Sequence, residues 1–311
     1  MKEFPEPEVI YTHESDLDGF VAGTLLVRLA HRLYGREPSL KAFHYSAWES
    51  HQIRQNRVWI SDLTFEERLD HPQWVIFDHH QTRATPKKAR LVHDTERSAG
   101  AIVYHILRDA GGGSNALDRL VHLSNVADLF LRDDPDFHEA IDLASMIKVY
   151  GFWTIHGLTD GDPERILDLP LRNVLRLKRE VENPLGFEWS KGRVTEISPT
   201  VGLVDTAVGD TNMIVHRMLE EKVTPYPVLM TLSGRGVSGG MSVSLRSENG
   251  EALPIAQRLQ GGGHPNACGA SLPKTIHHTP DAVVYLKKTL NPPPVIQSEQ
   301  EAVESLFDGL A

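Results

Sequence analysis

Three short segments of this chain gather side chains that bind cations. They are "THESDLDG" at residues 12–19, with His13, Asp16 and Asp18, "ISDLT" at 60–64, with Asp62, and "FDHHQT" at 77–82, with Asp78, His79 and His80. Each follows a run that reads as a strand: "EVIYTH", "RVWISDL" and "WVIFDHH". All three would therefore emerge at the carboxyl edge of one parallel sheet, where open α/β sheets bind ligands. Carboxylates crowded at one edge repel each other unless a cation lies between them, and oxygen-rich sites with one or two imidazoles suit Mn²⁺ or Mg²⁺. Two such ions about 3.5–4 Å apart form a clamp for phosphate-ester hydrolysis. Taken singly, each residue has a plainer reading. Asp62 ahead of "LTFEERL", and Asp16 or Asp18 ahead of Gly19, could be helix caps. A lone His79–His80 pair could be a solvated loop. Capping does not predict three such segments at successive strand ends.

The elements that must position these residues are legible as alternation. Segments 8–13, 41–45, 57–63, 74–80 and 89–94 are short and rich in β-branched and aromatic residues. The clearest helix between them is "GFVAGTLLVRLAHRLYG", where Val21, Leu25, Leu29 and Leu33 recur at helical spacing before Gly35. The pattern turns helical after Thr95. The fold class expected is α/β: a mostly parallel, five-stranded Rossmann-like sheet domain plus a smaller C-terminal α/β domain, with a cleft between them. A charged, helix-favouring connector covers 163–183, and the turn residues of "NPLGFEWSKGR" suggest a boundary near 184–198. Beyond it "VGLVDTA", "PVLMTL" and "GMSVSLRS" read as strands, and "DTNMIVHRMLEE" and "PDAVVYLKKTL" as helices. The domains expected are 1–190, 191–291 and a C-terminal tail, 292–311, in which Val303, Leu306, Phe307 and Leu310 could share one apolar face.

Composition narrows the function classes. At 311 residues, 40% hydrophobic and 24% charged, the chain is ordinary for a globular enzyme, and it has no run of the roughly 18 apolar residues a membrane span requires. The N-terminus lacks the pattern of a secretory signal, and a single cysteine excludes an intramolecular disulfide, so a cytoplasmic location is expected. A net charge of −10 argues against coating long nucleic acid, which needs excess Lys and Arg. A small anionic ligand remains compatible, as does a homodimer.

The glycines of "GGGSNA" at 111–116 read as a helix stop and turn. "LQGGGHPNACGAS" at 259–271 differs because His264 follows Gly261, Gly262 and Gly263 directly: glycines admit an anion close to backbone N–H groups, and the imidazole can donate to it. Arg246, in "SVSLRS", offers a fork suited to phosphate. Cys268 is expected to pack, not to act as a nucleophile.

These motifs, in this order, resemble the DHH phosphoesterases. "FDHH" resembles the signature, "THESDLDG" the first motif, "SDLT" the second, and "GGGH" the motif of the DHH-associated substrate-binding domain. The resemblance runs from about residue 8 to about residue 290. Only Glu14 and Ser15 separate His13 from Asp16, where the common family form has three residues; the shortened form marks a branch resembling oligoribonucleases. The resemblance implies two divalent cations, Mn²⁺ foremost and Mg²⁺ as the alternative. It assigns one to His13, Asp16 and Asp62, and the other to Asp18, Asp62, His79 and a later helical aspartate. Asp128 in "LSNVADLF" is the candidate for that place, with Asp118 and Asp133 as alternatives. Asp62, His79 and His80 are the catalytic set implied. His80 would touch the substrate phosphate, Asp78 would support the cluster, and Arg246, Gly261–Gly263 and His264 would bind substrate. The activity implied is a phosphodiesterase cutting oligonucleotides of two to five residues to nucleoside monophosphates. The alternatives are hydrolysis of pAp or of a cyclic or linear dinucleotide, with pyrophosphate less favoured, and an inactive nucleotide-binding regulator.

Overall fold

The computed structural model describes residues 4–82, 84–234 and 240–292. It divides into two compact units, residues 1–180 and 181–311. The tail face at Val303, Leu306, Phe307 and Leu310 lies outside the described residues.

The first unit opens with β1 (Val9–His13), α1 (Leu17–Tyr34), β2 (Ser39–Phe43), the single turn α2 (Tyr45–Trp48), β3 (Val58–Ser61), β4 (Trp74–Asp78) and β5 (Arg90–His93). Helices α3 (Ala99–Asp109), α4 (Asn115–Asp128), α5 (Phe137–Tyr150) and α6 (Phe152–Leu158) follow. The five strands form one sheet in the order β2-β1-β3-β4-β5, every pair parallel. Strands β1, β3 and β4 are buried along their whole length, which is why they read as continuous apolar runs. Val9, Tyr11, Val58, Ile60 and Ile76 face a cluster with Trp48, Phe65 and Leu69. Helix α1 packs on β1 and α3 on β4.

Helix α1 starts where the Asp16 carboxylate accepts from the Gly19 amide (2.9 Å) and stops at Gly35, whose left-handed backbone (φ 73°) lets its N–H close on the His31 carbonyl. The chain leaves β1 for β2 on one side and returns as β3 on the other. The strand order thus reverses between β1 and β3, and the crevice that follows from that reversal lies at their carboxyl ends.

One expected strand and one expected boundary move. Tyr45 leaves the second strand, which ends at Phe43, and opens α2. The turn residues at 184–190 are helical: α7 (Leu171–Ser190) runs through Pro184, and the division between units falls inside it. Proline removes one helical hydrogen bond. Burial of Phe187 against Val204, Ile214 and Met218 outweighs that loss, and Gly186 is pressed onto the Val208 carbonyl, where a Cβ has no room.

The second unit contains β6 (Val194–Ser198), β7 (Val201–Val204), α8 (Thr211–Glu220), β8 (Val228–Gly234), β9 (Met241–Arg246), α9 (Ala252–Arg258), β10 (Gly262–His264), β11 (Ala267–Ser271) and α10 (Thr279–Leu290). Its sheet runs β10-β11-β9-β8-β7-β6; β7 and β8 are parallel and the other pairs antiparallel. Val228, Met230, Val243 and Leu245 face α9 and α10, while Leu229 faces α8. The glycine-rich segment forms the edge strand β10 of a hairpin with β11.

Candidate metal centre

The carboxyl ends of β1, β3 and β4 bring together the residues expected there. Donor atoms of His13, Asp16 and Asp62 lie within 4.8 Å of one another, as do those of Asp62, His79 and His80, and those of Asp18, His79 and Asp128. Asp62 joins the groups. One of its oxygens is 3.5 Å from His13 Nδ1 and the other 3.4 Å from His79 Nε2, which in turn is 3.4 Å from an Asp128 oxygen. Asp62 holds this pose on a left-handed backbone (φ 54°), a conformation uncommon outside glycine but better tolerated by Asp and Asn than by most residues. It caps no helix.

Asp16 serves two ends. One oxygen caps α1, and the other lies 2.8 Å from His13 Nδ1. Asp18 points into the N-terminus of α3, accepting from the amides of Ala99 (2.7 Å) and Gly100 (2.9 Å) and from the Ser124 hydroxyl (3.3 Å). That position favours a carboxylate, because the first amides of a helix have no partner within it. Asp78 is fully buried and accepts from His80 through both its backbone amide (3.3 Å) and its Nδ1 (2.7 Å). Asp128 is the last residue of α4, and the structure brings it, in place of Asp118 or Asp133, to Asp18 and His79. Asp118 instead accepts from the Tyr104 hydroxyl (2.7 Å).

The protonation of the cluster reflects crowded charge. Burial alone would lower the imidazoles, but Asp16 and Asp62 hold His13 well above its usual pKa, Asp62 raises His79 to about 9, and Asp78 raises His80. Burial, then the charge of Asp62, raises Asp18 to about 6. Burial, then Asp18 and Asp62, holds Asp128 well above the carboxylate range. Asp62 goes the other way: burial would raise it, yet its contacts with His13 and His79 keep it below the usual value. One oxygen each of Asp62, Asp78 and Asp128 is buried and accepts no hydrogen bond. Buried carboxylate oxygens without donors cost free energy, and divalent ions held by oxygen and imidazole are what such a donor set fits.

Sequence reasoning missed Tyr45. Its ring packs on His13 (centroids 4.6 Å apart) and its hydroxyl is 3.3 Å from His80 Nε2. It also missed Gly100, where an added Cβ would lie 2.8 Å from an Asp18 oxygen. "SAG" at 98–100 carries the signal in part, since Ser98 is the N-cap of α3.

In the second unit, Ala267 pairs with Arg246 on one side and His264 on the other, so the three share a row on one face of the sheet. The next row is Gly262, Gly269, Ser244 and Thr231. Burial lowers the Arg246 pKa, and Asp210 offsets part of that. The three glycines separate in role. Gly261 lies against the Gly269 carbonyl and Gly263 (φ 133°) against the Ala267 carbonyl, whereas a Cβ on Gly262 would meet nothing within 4 Å. Only Gly262 presents an open face. Cys268 is buried, with a thiol pushed up to about 11 by that burial.

No protein-family model matches the sequence, and no curated protein matches it either. Solved structures do. The pGpG-specific phosphodiesterase PggH from Vibrio cholerae superposes with a TM-score of 0.53 at 12% identity, over 91% of this chain and 98% of that one. The DHH domain of a protein described as a member of a ribosomal-protein family superposes with a TM-score of 0.55 at 14% identity, over 92% of this chain and 86% of that one. The chain thus has the two-part fold of the DHH-domain proteins.

Proposed function

We propose that the chain is a metal-dependent hydrolase of phosphoric esters whose substrates are short oligonucleotides. The observation that carries this reading is the placement of Asp62, grouped with His13 and Asp16 through one oxygen and reaching His79, the neighbour of Asp128, with the other. One carboxylate serving two donor groups is the arrangement a pair of ions requires. His13, Asp16 and Asp62 would hold one ion, and Asp18, Asp62, His79 and Asp128 the other. Mn²⁺ is the assignment, on the mixed oxygen and imidazole donors. Bound divalent ions supply positive charge against phosphoryl oxygens and acidify water.

The chain's own residues do the rest. The α3 amides hold Asp18 and fix its orientation. Asp78, through Nδ1, fixes the His80 ring, whose Nε2 is the atom available to a phosphoryl oxygen once it leaves Tyr45. Arg246 and His264 flank Ala267 and are assigned to a substrate phosphate, with Gly262 giving the backbone an open approach. A substrate gripped through a phosphate as well as cleaved at one suits oligonucleotides of two to five residues, which would yield nucleoside monophosphates.

The second reading is hydrolysis of pAp or of a cyclic or linear dinucleotide; the structural likeness to a pGpG-specific phosphodiesterase supports the linear dinucleotide. A Mn²⁺-dependent assay on dinucleotides, a pentanucleotide, pAp, cyclic dinucleotides and pyrophosphate separates these. Monophosphate release from the di- and pentanucleotides is the expected result. Tight nucleotide binding with no release from any of them would leave a binding regulator instead.

A further inference from the structure

Tyr45 belongs to none of the sequence motifs, yet it makes two contacts inside the candidate metal centre. Its ring lies against the His13 imidazole, and its hydroxyl is 3.3 Å from His80 Nε2. The fold sets it there. Sheet register pairs His13 with Phe43, so β2 ends level with the last residue of β1, and the chain turns at His44 into α2, which Tyr45 opens. The turn is fastened on both sides. The Ser15 hydroxyl meets His44 Nδ1 at 2.6 Å, and Trp48, 1% exposed, packs on Tyr11 and Phe43 while its carbonyl accepts from Arg68 (2.9 Å). A side chain held in this way is positioned before any ligand arrives.

The hydroxyl needs its own reason to be there. Packing on His13 requires only a ring, which phenylalanine would supply without burying a polar group beside carboxylates. Burial, then the charges of Asp62, Asp78 and Asp16, hold the Tyr45 phenol well above its usual pKa, so it keeps its proton; its polar partners are His80 and Thr64. His80 Nδ1 is engaged with Asp78, which leaves Nε2 as the atom that meets Tyr45. A phosphoryl oxygen accepts hydrogen bonds and donates none. It can take one from His80 Nε2 only when that ring is charged, but from the Tyr45 hydroxyl in either state. We propose that Tyr45 is a second donor to the substrate phosphoryl group, and that its hydroxyl and His80 Nε2, in contact with each other in the free protein, part to grip one phosphoryl group between them. The proposal rests on the reading of the site as a phosphoester hydrolase and adds a substrate-contacting residue to it. Two donor heads 3.3 Å apart can each reach an oxygen on the same phosphorus, and their mutual contact satisfies both before substrate binds. Charge that grows on those oxygens in the transition state strengthens the bond from a donor already in place.

The test uses the full chain loaded with Mn²⁺. Tyr45→Phe keeps the ring, so it should fold and bind Mn²⁺ with wild-type affinity and stoichiometry by calorimetry. Its binding of inorganic phosphate, counted as the part that requires Mn²⁺, should weaken by roughly tenfold. Its kcat/KM on a linear dinucleotide should fall by roughly 10–100-fold, most of it in kcat, as for loss of one hydrogen bond to a charged group. Tyr45→Ala should in addition weaken Mn²⁺ binding, because His13 loses its packing. Combined with His80→Ala, Tyr45→Phe should cost less than the product of the two single losses, since both donors serve one group. Wild-type phosphate affinity in Tyr45→Phe would overturn the proposal, as would the absence of Mn²⁺-dependent phosphate binding in the wild type. So would a loss of Mn²⁺ affinity in Tyr45→Phe large enough to account for the loss of phosphate, or single losses that multiply in the double variant. A wild type that binds phosphate through Tyr45 yet releases nucleotide from no ester would refute the hydrolase reading and leave this contact standing.

Discussion

Asp62 is the residue on which both donor groups depend, and its φ of 54° decides how it is best tested. Alanine would add backbone strain to the loss of the carboxylate, whereas asparagine tolerates the left-handed region. Asp62→Asn is expected to lower turnover by at least roughly 100-fold and to leave a cooperative unfolding transition. Asp128→Asn separates function from stability. Asp128 is buried beside Asp18 and Asp62, which suppress its ionisation at a cost to folding, so an amide there should stabilise the metal-free chain by about 1 kcal/mol in a denaturant titration while weakening metal binding. The imidazoles set the pH dependence. A metal ion binds the deprotonated ring, and His79 keeps its proton to about pH 9 in the metal-free chain, so apparent Mn²⁺ affinity should rise as pH increases from 6 toward 9. Calorimetry in buffers of different ionisation enthalpy should show proton release on binding. Affinity independent of pH across that window would contradict the assignment of His79 as a ligand.

At the scale of elements, what the sequence made legible was what short-range pattern can carry. The buried strands β1, β3 and β4 and the polar residues that end them are neighbours in the chain, so alternation, strand-like composition and the Asp and His types sufficed. Tyr45 was not legible, because its part depends on α2 folding back over His13, and nothing in "HYSAW" encodes that contact. Gly100 matters through Asp18, distant in sequence. The hairpin of β10 and β11 was missed because "GGGH" has the composition of a loop; Gly261 and Gly263 are required by the close approach of β11, which only pairing reveals. The same geometry yields a contrast. Gly263→Ala puts a Cβ 2.6 Å from the Ala267 carbonyl oxygen at a φ of 133°, and should cost about 1–3 kcal/mol of stability in the second unit. Gly262→Ala meets no neighbour and should leave the melting temperature unchanged while raising KM, if Gly262 is where the substrate approaches.

At the scale of the molecule, the first unit gathers the candidate metal ligands where its strand order reverses, and the second displays Arg246 and His264 on one row of a separate sheet. A fold that accumulates buried carboxylates is less stable without cations, so removing metal should lower the melting temperature; at free Mn²⁺ of 100 times Kd the linkage amounts to about 2.7 kcal/mol. The most direct test of the central claim is to strip the protein of metal and titrate Mn²⁺ back while following hydrolysis of a linear dinucleotide. The account predicts negligible turnover in the stripped protein, recovery that requires two ions per chain, and no recovery at any Mn²⁺ concentration for Asp62→Asn. Full turnover in the presence of chelator, or wild-type recovery by Asp62→Asn, would contradict it.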